Sequence, residues 1–209
     1  MDIQFHGANC VTLTTKQAKV VVDDNLAKLG AKSVTKAGDV ALFTQEHNDS
    51  VAGAKIVIAQ PGEYEVSGVS IYGIAARGHM DEEGKKTATM YKLLVDDLKI
   101  LITGHVYPEL TDSQLETIGM VDVMIVPVGG NGYTLDGVGA LKVIKKVEPK
   151  MVIPTHYDDE KGLSFEMPQQ TLEQALKALA MEPKETVPKL KIKPADLAET
   201  TQLVVLERS

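Results

Sequence analysis

Five histidines occur in the 209 residues, and three of them come at the ends of apolar runs of strand length. Val40-Ala41-Leu42-Phe43-Thr44 leads to His47 and Asp49, Leu98 to Gly104 leads to His105, and Met151 to Thr155 leads to His156. His79, after Tyr72 to Gly78, is placed to join them from a neighbouring strand end. In open α/β sheets, ligands gather beyond the carboxyl ends of strands, so residues at those ends can share one rim. Imidazoles with a carboxylate are suitable donors for a borderline divalent ion such as zinc, and a site that keeps one position open activates water. His47, Asp49, His79, His105 and His156 are therefore the candidate metal ligands.

The elements that must carry these residues change in rhythm along the chain. In the first half, short Val-, Ile- and Leu-rich runs are cut by Gly, Pro, Asn and Asp, with Ser67-Gly68 and Asp96-Asp97 as hairpin turns. In the second half strands alternate with helices. Thr111 and Gln114 have capping-box spacing, and Gly119 is placed to end that helix. A second helix is expected over 135–147, with Val138, Leu141, Ile144 and Val147 on its apolar face. Pro168 is expected to open a third, carrying Leu172, Ala175, Leu176 and Leu179. Strands first, then strands alternating with helices, indicate a layered α/β protein with mixed sheets. The expectation is one domain over 1–209, in two packed halves of roughly 1–110 and 111–209.

Composition narrows the function classes. Twenty-two basic against 29 acidic residues give a net charge of -7, which disfavours nucleic acid as a partner. Tryptophan is absent and aromatic residues are 4% of the chain, so a base-stacking platform is not expected. The lone Cys10 reads as a small buried residue and agrees with a reducing compartment. No apolar window reaches spanning length and the start Met1-Asp2-Ile3-Gln4 lacks a signal-peptide pattern, so the expectation is a cytoplasmic protein without a membrane partner. No Gly-x-Ser-x-Gly elbow offers a serine nucleophile.

Taken in order, several segments resemble the metallo-β-lactamase fold superfamily, and in particular its small cytoplasmic single-domain branch, similar to L-ascorbate-6-phosphate lactonase. They are Phe5 to Cys10 with Val20-Val21-Val22-Asp23, Pro61-Gly62-Glu63-Tyr64-Glu65, Ile125 to Gly130, and Glu148 to Tyr157. The resemblance covers essentially the whole chain. It implies a four-layer αβ/βα sandwich of two mixed β-sheets covered by helices, with a metal site on one edge between the sheets.

The family motif Thr-His-x-His-x-Asp-His aligns with Thr44-Gln45-Glu46-His47-Asn48-Asp49-Ser50, where Gln45 and Ser50 replace the outer histidines. His79 aligns with a third ligand, His105 takes the place of the bridging aspartate, and His156 aligns with the last ligand. Gln45 and Ser50 are weak zinc ligands, and a neutral imidazole has only one lone pair to offer a metal, so a dinuclear site is not expected. What remains could hold one divalent ion, zinc first, through Asp49, His105 and His156 or through His47, His79 and His105. Asp49 would then be a ligand or the base that orients water. The expected reaction is hydrolysis of an ester, lactone or phosphoester in a small anionic metabolite. The alternative is a non-catalytic protein, used for binding or scaffolding, that has lost its metal. Gly129 and Gly130, in a Gly-rich turn between a strand and a helix, read first as a tight turn. Their second reading, with Gln45 and Ser50, is substrate contact. Assembly into a homo-oligomer is a further expectation, since relatives of this fold often assemble.

Overall fold

Hairpins build the first part of the chain because left-handed residues fall where its apolar runs are interrupted. The computed structural model describes residues 1–47 and 51–209. Strands β1 (Asp2–Gly7), β2 (Cys10–Thr14) and β3 (Lys19–Val22) pair antiparallel in sequence. β4 (Val40–Leu42) and β5 (Ile56–Ile58) then continue parallel to β3. β6 (Gly62–Val66), β7 (Val69–Ala76), β8 (Ala88–Val95) and β9 (Leu98–Ile102) form an antiparallel meander. Two of its turns fall at Ser67-Gly68 and Asp96-Asp97, and all four residues have positive φ, as a tight hairpin turn requires.

From β9 onward the sheet grows in parallel through helical crossovers. The elements are α1 (Asp112–Ile118), β10 (Val123–Pro127), α2 (Gly137–Val147), β11 (Met151–Thr155), α3 (Leu172–Leu179), β12 (Pro183–Val187), β13 (Leu190–Lys191) and β14 (Gln202–Leu206). Six strands run in the order β13-β1-β2-β3-β4-β5 and eight in the order β12-β14-β11-β10-β9-β8-β7-β6, so each sheet has an antiparallel part and a parallel part. One apolar cluster, from Ile3 to Leu206, contains buried residues of both sheets and of the helices. On the opposite face of the six-stranded sheet, a smaller cluster of Cys10, Val21 and Leu26 lies at the 3₁₀ turn Leu26–Leu29. Among the described residues, no helix is long and apolar enough to cross a membrane.

The helix signals hold in two places and shift in two. Thr111 and Gln114 form the expected capping box, Gly119 follows α1, and the Gln114 carboxamide donates to the Ala75 carbonyl at 2.8 Å, tying α1 to β7. α2 instead buries Ala140, Val143, Ile144 and Val147, and Val138 is 52% exposed. The first turn of α2 faces α3 through Gly137, where a Cβ would come within 2.6 Å of Ala178, so the buried face is rotated away from Val138. Pro168 does not open α3. Gln170 pairs its N–H with the Gly129 carbonyl, which keeps that stretch irregular until Thr171 and Gln174 form a capping box and start the helix.

The two sheets are joined next to the ends of β4 and β8. Thr89 donates its N–H to the Thr44 carbonyl at 2.8 Å, and the buried Tyr91 hydroxyl donates to the Phe43 and Ile58 carbonyls. These contacts fix the segment after β4 over the rim where β9 and β11 end.

Candidate functional site

Two close approaches place the histidines that follow the parallel strands. Gly104, with φ of +60°, crosses Thr44 so tightly that a Cβ would meet the Thr44 side chain at 2.3 Å, and His105 follows it. His156 comes directly after β11 with φ of +55°, and its N–H donates at 2.7 Å to the carbonyl of Ala8, which also has positive φ. The His105 and His156 rings meet edge to face, with centroids 4.6 Å apart and planes at 84°. Tyr133 contacts both, at 4.9 Å from His105 and 5.6 Å from His156, and Phe165 lies 5.3 Å from His156.

Hydrogen bonds hold this pair from behind. Gln169 donates its carboxamide N–H to the Met167 carbonyl at 2.7 Å, leaving Oε1 as acceptor for His156 Nδ1 at 3.1 Å. Nδ1 must therefore carry the proton, and the Nε2 lone pair stays available. His105 Nδ1 is buried and has no partner among the described residues. Both rings are neutral near pH 7. Burial, then the neighbouring His156 and His79, hold His105 well below its ordinary value; burial, against the Gln169 hydrogen bond, brings His156 to about 4.

The same cavity, of about 230 Å³, includes a buried carboxyl that the histidine pattern did not single out. Asp23 follows β3 and accepts at 2.7 Å from the Thr44 N–H and at 2.6 Å from its hydroxyl. Burial raises its pKa to about 6 against those bonds, and the Asn9 carboxamide alongside also favours the charged form. Asn9 itself accepts from the Thr155 hydroxyl at 2.8 Å, so residues next to Asp23 and His156 are linked across the sandwich.

The sequence-derived candidates divide in place. His105 and His156 are brought together, and His47 and Gln45 line the same cavity. His47 stacks on Phe43 with centroids 3.5 Å apart, and its buried Nε2 has no partner among the described residues. His79 donates its N–H to the His105 carbonyl at 2.8 Å, while its ring lies by the Val106 carbonyl and outside the cavity lining. Gly129 and Gly130 shape the turn and are not among the lining residues. A Cβ at Gly129 would meet the His156 carbonyl at 1.9 Å and Gln169 Oε1 at 2.3 Å, so this glycine lets both residues close in. Asp49 and Ser50 lie outside the described residues. Asp23, Tyr133, Phe165 and Gln169 are the site residues that the sequence reading passed over; only Asp23 carried the signal that marked the histidines, a polar residue just past a strand.

Tested as a metal site, the described residues supply two neutral imidazoles and no third donor. No three of their His, Cys, Asp and Glu side chains converge closely enough to hold an ion. The pair suits part of a mononuclear centre, and a dinuclear one has no bridging carboxylate at the position of His105.

Comparison with known proteins agrees with this architecture. A profile described as "Beta-lactamase superfamily domain" matches residues 2–156. A "UPF0173 metal-dependent hydrolase" of Salinibacter ruber is 42% identical over 193 residues, covering 76% of this chain and 85% of that protein. A protein of the same description from Thermococcus onnurineus is 28% identical over 138 residues; the match takes in 64% of this chain but spans only 59% of that protein's length. Among solved structures, a Thermotoga maritima protein of the metallo-β-lactamase superfamily, assigned as a Zn-dependent hydrolase, superposes with a TM-score of 0.75 at 25% identity over 99% of both chains. YhfI of Bacillus subtilis, at 9% identity and a TM-score of 0.61 over 100% of this chain and 97% of its own, shares the fold. With two mixed sheets, a histidine pair at their common edge and a profile match over most of its length, this chain belongs to the metallo-β-lactamase superfamily.

Proposed function

We propose that the chain is a metal-dependent hydrolase that cleaves an ester, lactone or phosphoester bond of a small metabolite, using at most one divalent ion. The observation that carries this reading is the perpendicular His105–His156 pair, both rings neutral, with a buried Nδ1 on His105 lacking any partner among the described residues. His105 and His156 would hold the ion, zinc first, with Asp49 as the further donor named from the sequence. Such an ion supplies Lewis acidity, which lowers the pKa of a water and polarises the scissile bond.

The chain's own groups do the rest. Gln169 keeps the proton on His156 Nδ1, so the opposite nitrogen keeps its lone pair for an ion. Asp23 is the buried carboxyl of the cavity and exchanges a proton near pH 6, which suits it to take one from an attacking water. In the reaction the water oxygen bonds to the acyl or phosphoryl centre, the bond to the leaving oxygen breaks, and that oxygen gains a proton. Similarity to relatives described as metal-dependent hydrolases supports this reading.

Gln45 in place of a histidine, and the missing third donor among the described residues, favour a second reading, a non-catalytic binding protein. Elemental analysis and calorimetric titration with zinc and manganese separate the two. The first reading expects about one ion per chain, lost in His156→Ala together with hydrolysis of ester, lactone and phosphoester probes. No bound ion at micromolar supply and no turnover would establish the second.

A further inference from the structure

We infer that the cleft takes an uncharged, planar aromatic ester or lactone, a narrowing that rests on the hydrolytic reading above. Aromatic side chains are scarce here: the chain has no tryptophan and three phenylalanines. Two of those three, Phe43 and Phe165, line this one cavity together with Tyr133. Phe165 and Tyr133 already make tilted and edge contacts with the histidine rings at 4.9 to 5.6 Å. A flat ring entering the cavity would extend that set, because aromatic pairs favour offset and edge geometries at such separations. Met167, also a lining residue, is 48% exposed and offers an adaptable apolar edge. At about 230 Å³ the space is smaller than the ~300–1,000 Å³ typical of drug-sized ligands, which limits the occupant to one or two fused rings.

Charge disfavours an anionic occupant. Glu46, Glu166 and Asp23 line the cavity against Lys28, and one divalent ion held with Asp49 would not turn that balance positive, so the cleft has no excess of positive charge to draw in a phosphate or carboxylate. The buried His47 Nε2, without a partner among the described residues, can offer an N–H to a carbonyl oxygen. In the hydrolysis, water oxygen joins the acyl carbon, the acyl C–O bond breaks, the phenolic oxygen takes a proton, and the new carboxylic acid ionises.

The full chain is titrated by NMR with 2-tetralone, the non-hydrolysable carbocyclic counterpart of dihydrocoumarin, alongside its saturated analogue 2-decalone and the anion 4-nitrophenyl phosphate. The ring protons of Tyr133 and Phe165 should shift with 2-tetralone, and binding should be about fivefold or more tighter than for 2-decalone, with 4-nitrophenyl phosphate weaker still. Phe165→Ala should lower 2-tetralone affinity by a similar factor. Phe165→Leu, which keeps apolar bulk without a planar face, should fall with it and guards against loss of folding in the alanine variant. Equal or tighter binding of the phosphate or of 2-decalone, parent-like affinity in Phe165→Leu, or no binding of 2-tetralone at millimolar concentration overturns the inference. Dihydrocoumarin turnover is read separately. Binding without turnover would sink the hydrolase assignment and keep the ligand class, whereas turnover of the phosphoester alone would do the reverse.

Discussion

Gln169 accepts a hydrogen bond from His156 Nδ1 at 3.1 Å while its own amide nitrogen is fixed on the Met167 carbonyl at 2.7 Å. A loop that walls the cavity thus sets the tautomer of a site histidine, and Gly129 is the residue that leaves room for it. In Gln169→Leu the buried Nδ1–H is left unpaired, which should cost about 1–3 kcal/mol of stability. In Gln169→Glu the acceptor becomes a carboxylate, which stabilises the charged ring and should raise the His156 pKa from its value of about 4. Nitrogen-detected NMR of the ring checks both. The parent should show a protonated Nδ1, and an unchanged tautomer and titration in both variants would remove the positioning role.

Acid stability should carry the mark of His156. Its folded pKa of about 4 lies below the ordinary 6.5, so the native state binds fewer protons than the unfolded chain between those values. Stability from this group is complete above pH 6.5 and is lost as the pH falls towards 4, by on the order of 3 kcal/mol. His156→Asn removes the titration, keeps an N–H that can reach Gln169, and tolerates the positive φ of that position. Urea denaturation of the variant across this window should show a flatter acid limb than the parent.

Asp23 should contribute the opposite slope. Its folded pKa of about 6 lies above the ordinary 3.8, so the native state holds the extra proton between those values. Stability therefore falls as the pH rises through that window, and a cost on the order of 3 kcal/mol is complete above pH 6. Asp23→Asn, uncharged at every pH, should gain on the parent progressively from pH 3.8 to 6. A constant difference across the window would show that the carboxyl is not held neutral by burial.

The fold was more legible than the site, for a physical reason. Hairpin turns, capping boxes and apolar runs act between residues close in sequence, and the turns at Ser67-Gly68 and Asp96-Asp97 and the cap at Thr111 stand where local chemistry puts them. Strand ends identified His105 and His156, because parallel strands deliver their carboxyl ends to one edge. The ring of His79 was less legible: its backbone reaches that edge, but pairing with His105 leaves the imidazole at the Val106 carbonyl. Gln169, Phe165 and Tyr133 have no local signature of a site. Their roles exist only once the loops after β10 and β11 fold over His156, and Pro168 misled because those loop contacts outweigh its preference for a helix start.

Thr44 joins the site to the fold, and its removal should be felt in both. The hydroxyl donates to Asp23 at 2.6 Å, and Gly104 passes against the same side chain on the way to His105. Thr44→Val keeps the shape and deletes the donor, leaving a buried carboxyl with one bond fewer. A hydrogen bond to a charged acceptor is worth about 1.5–3 kcal/mol, so the loss should appear above pH 6, where Asp23 is ionised, and shrink as the group is protonated. The Asp23 pKa should rise beyond about 6 in the same variant, because one of the bonds that favour its charged form is gone. Combining Thr44→Val with Asp23→Asn tests the link directly. If the hydroxyl acts through the carboxylate, the pH-dependent part of the threonine effect vanishes in the asparagine background; if it persists, Thr44 supports His105 through packing alone.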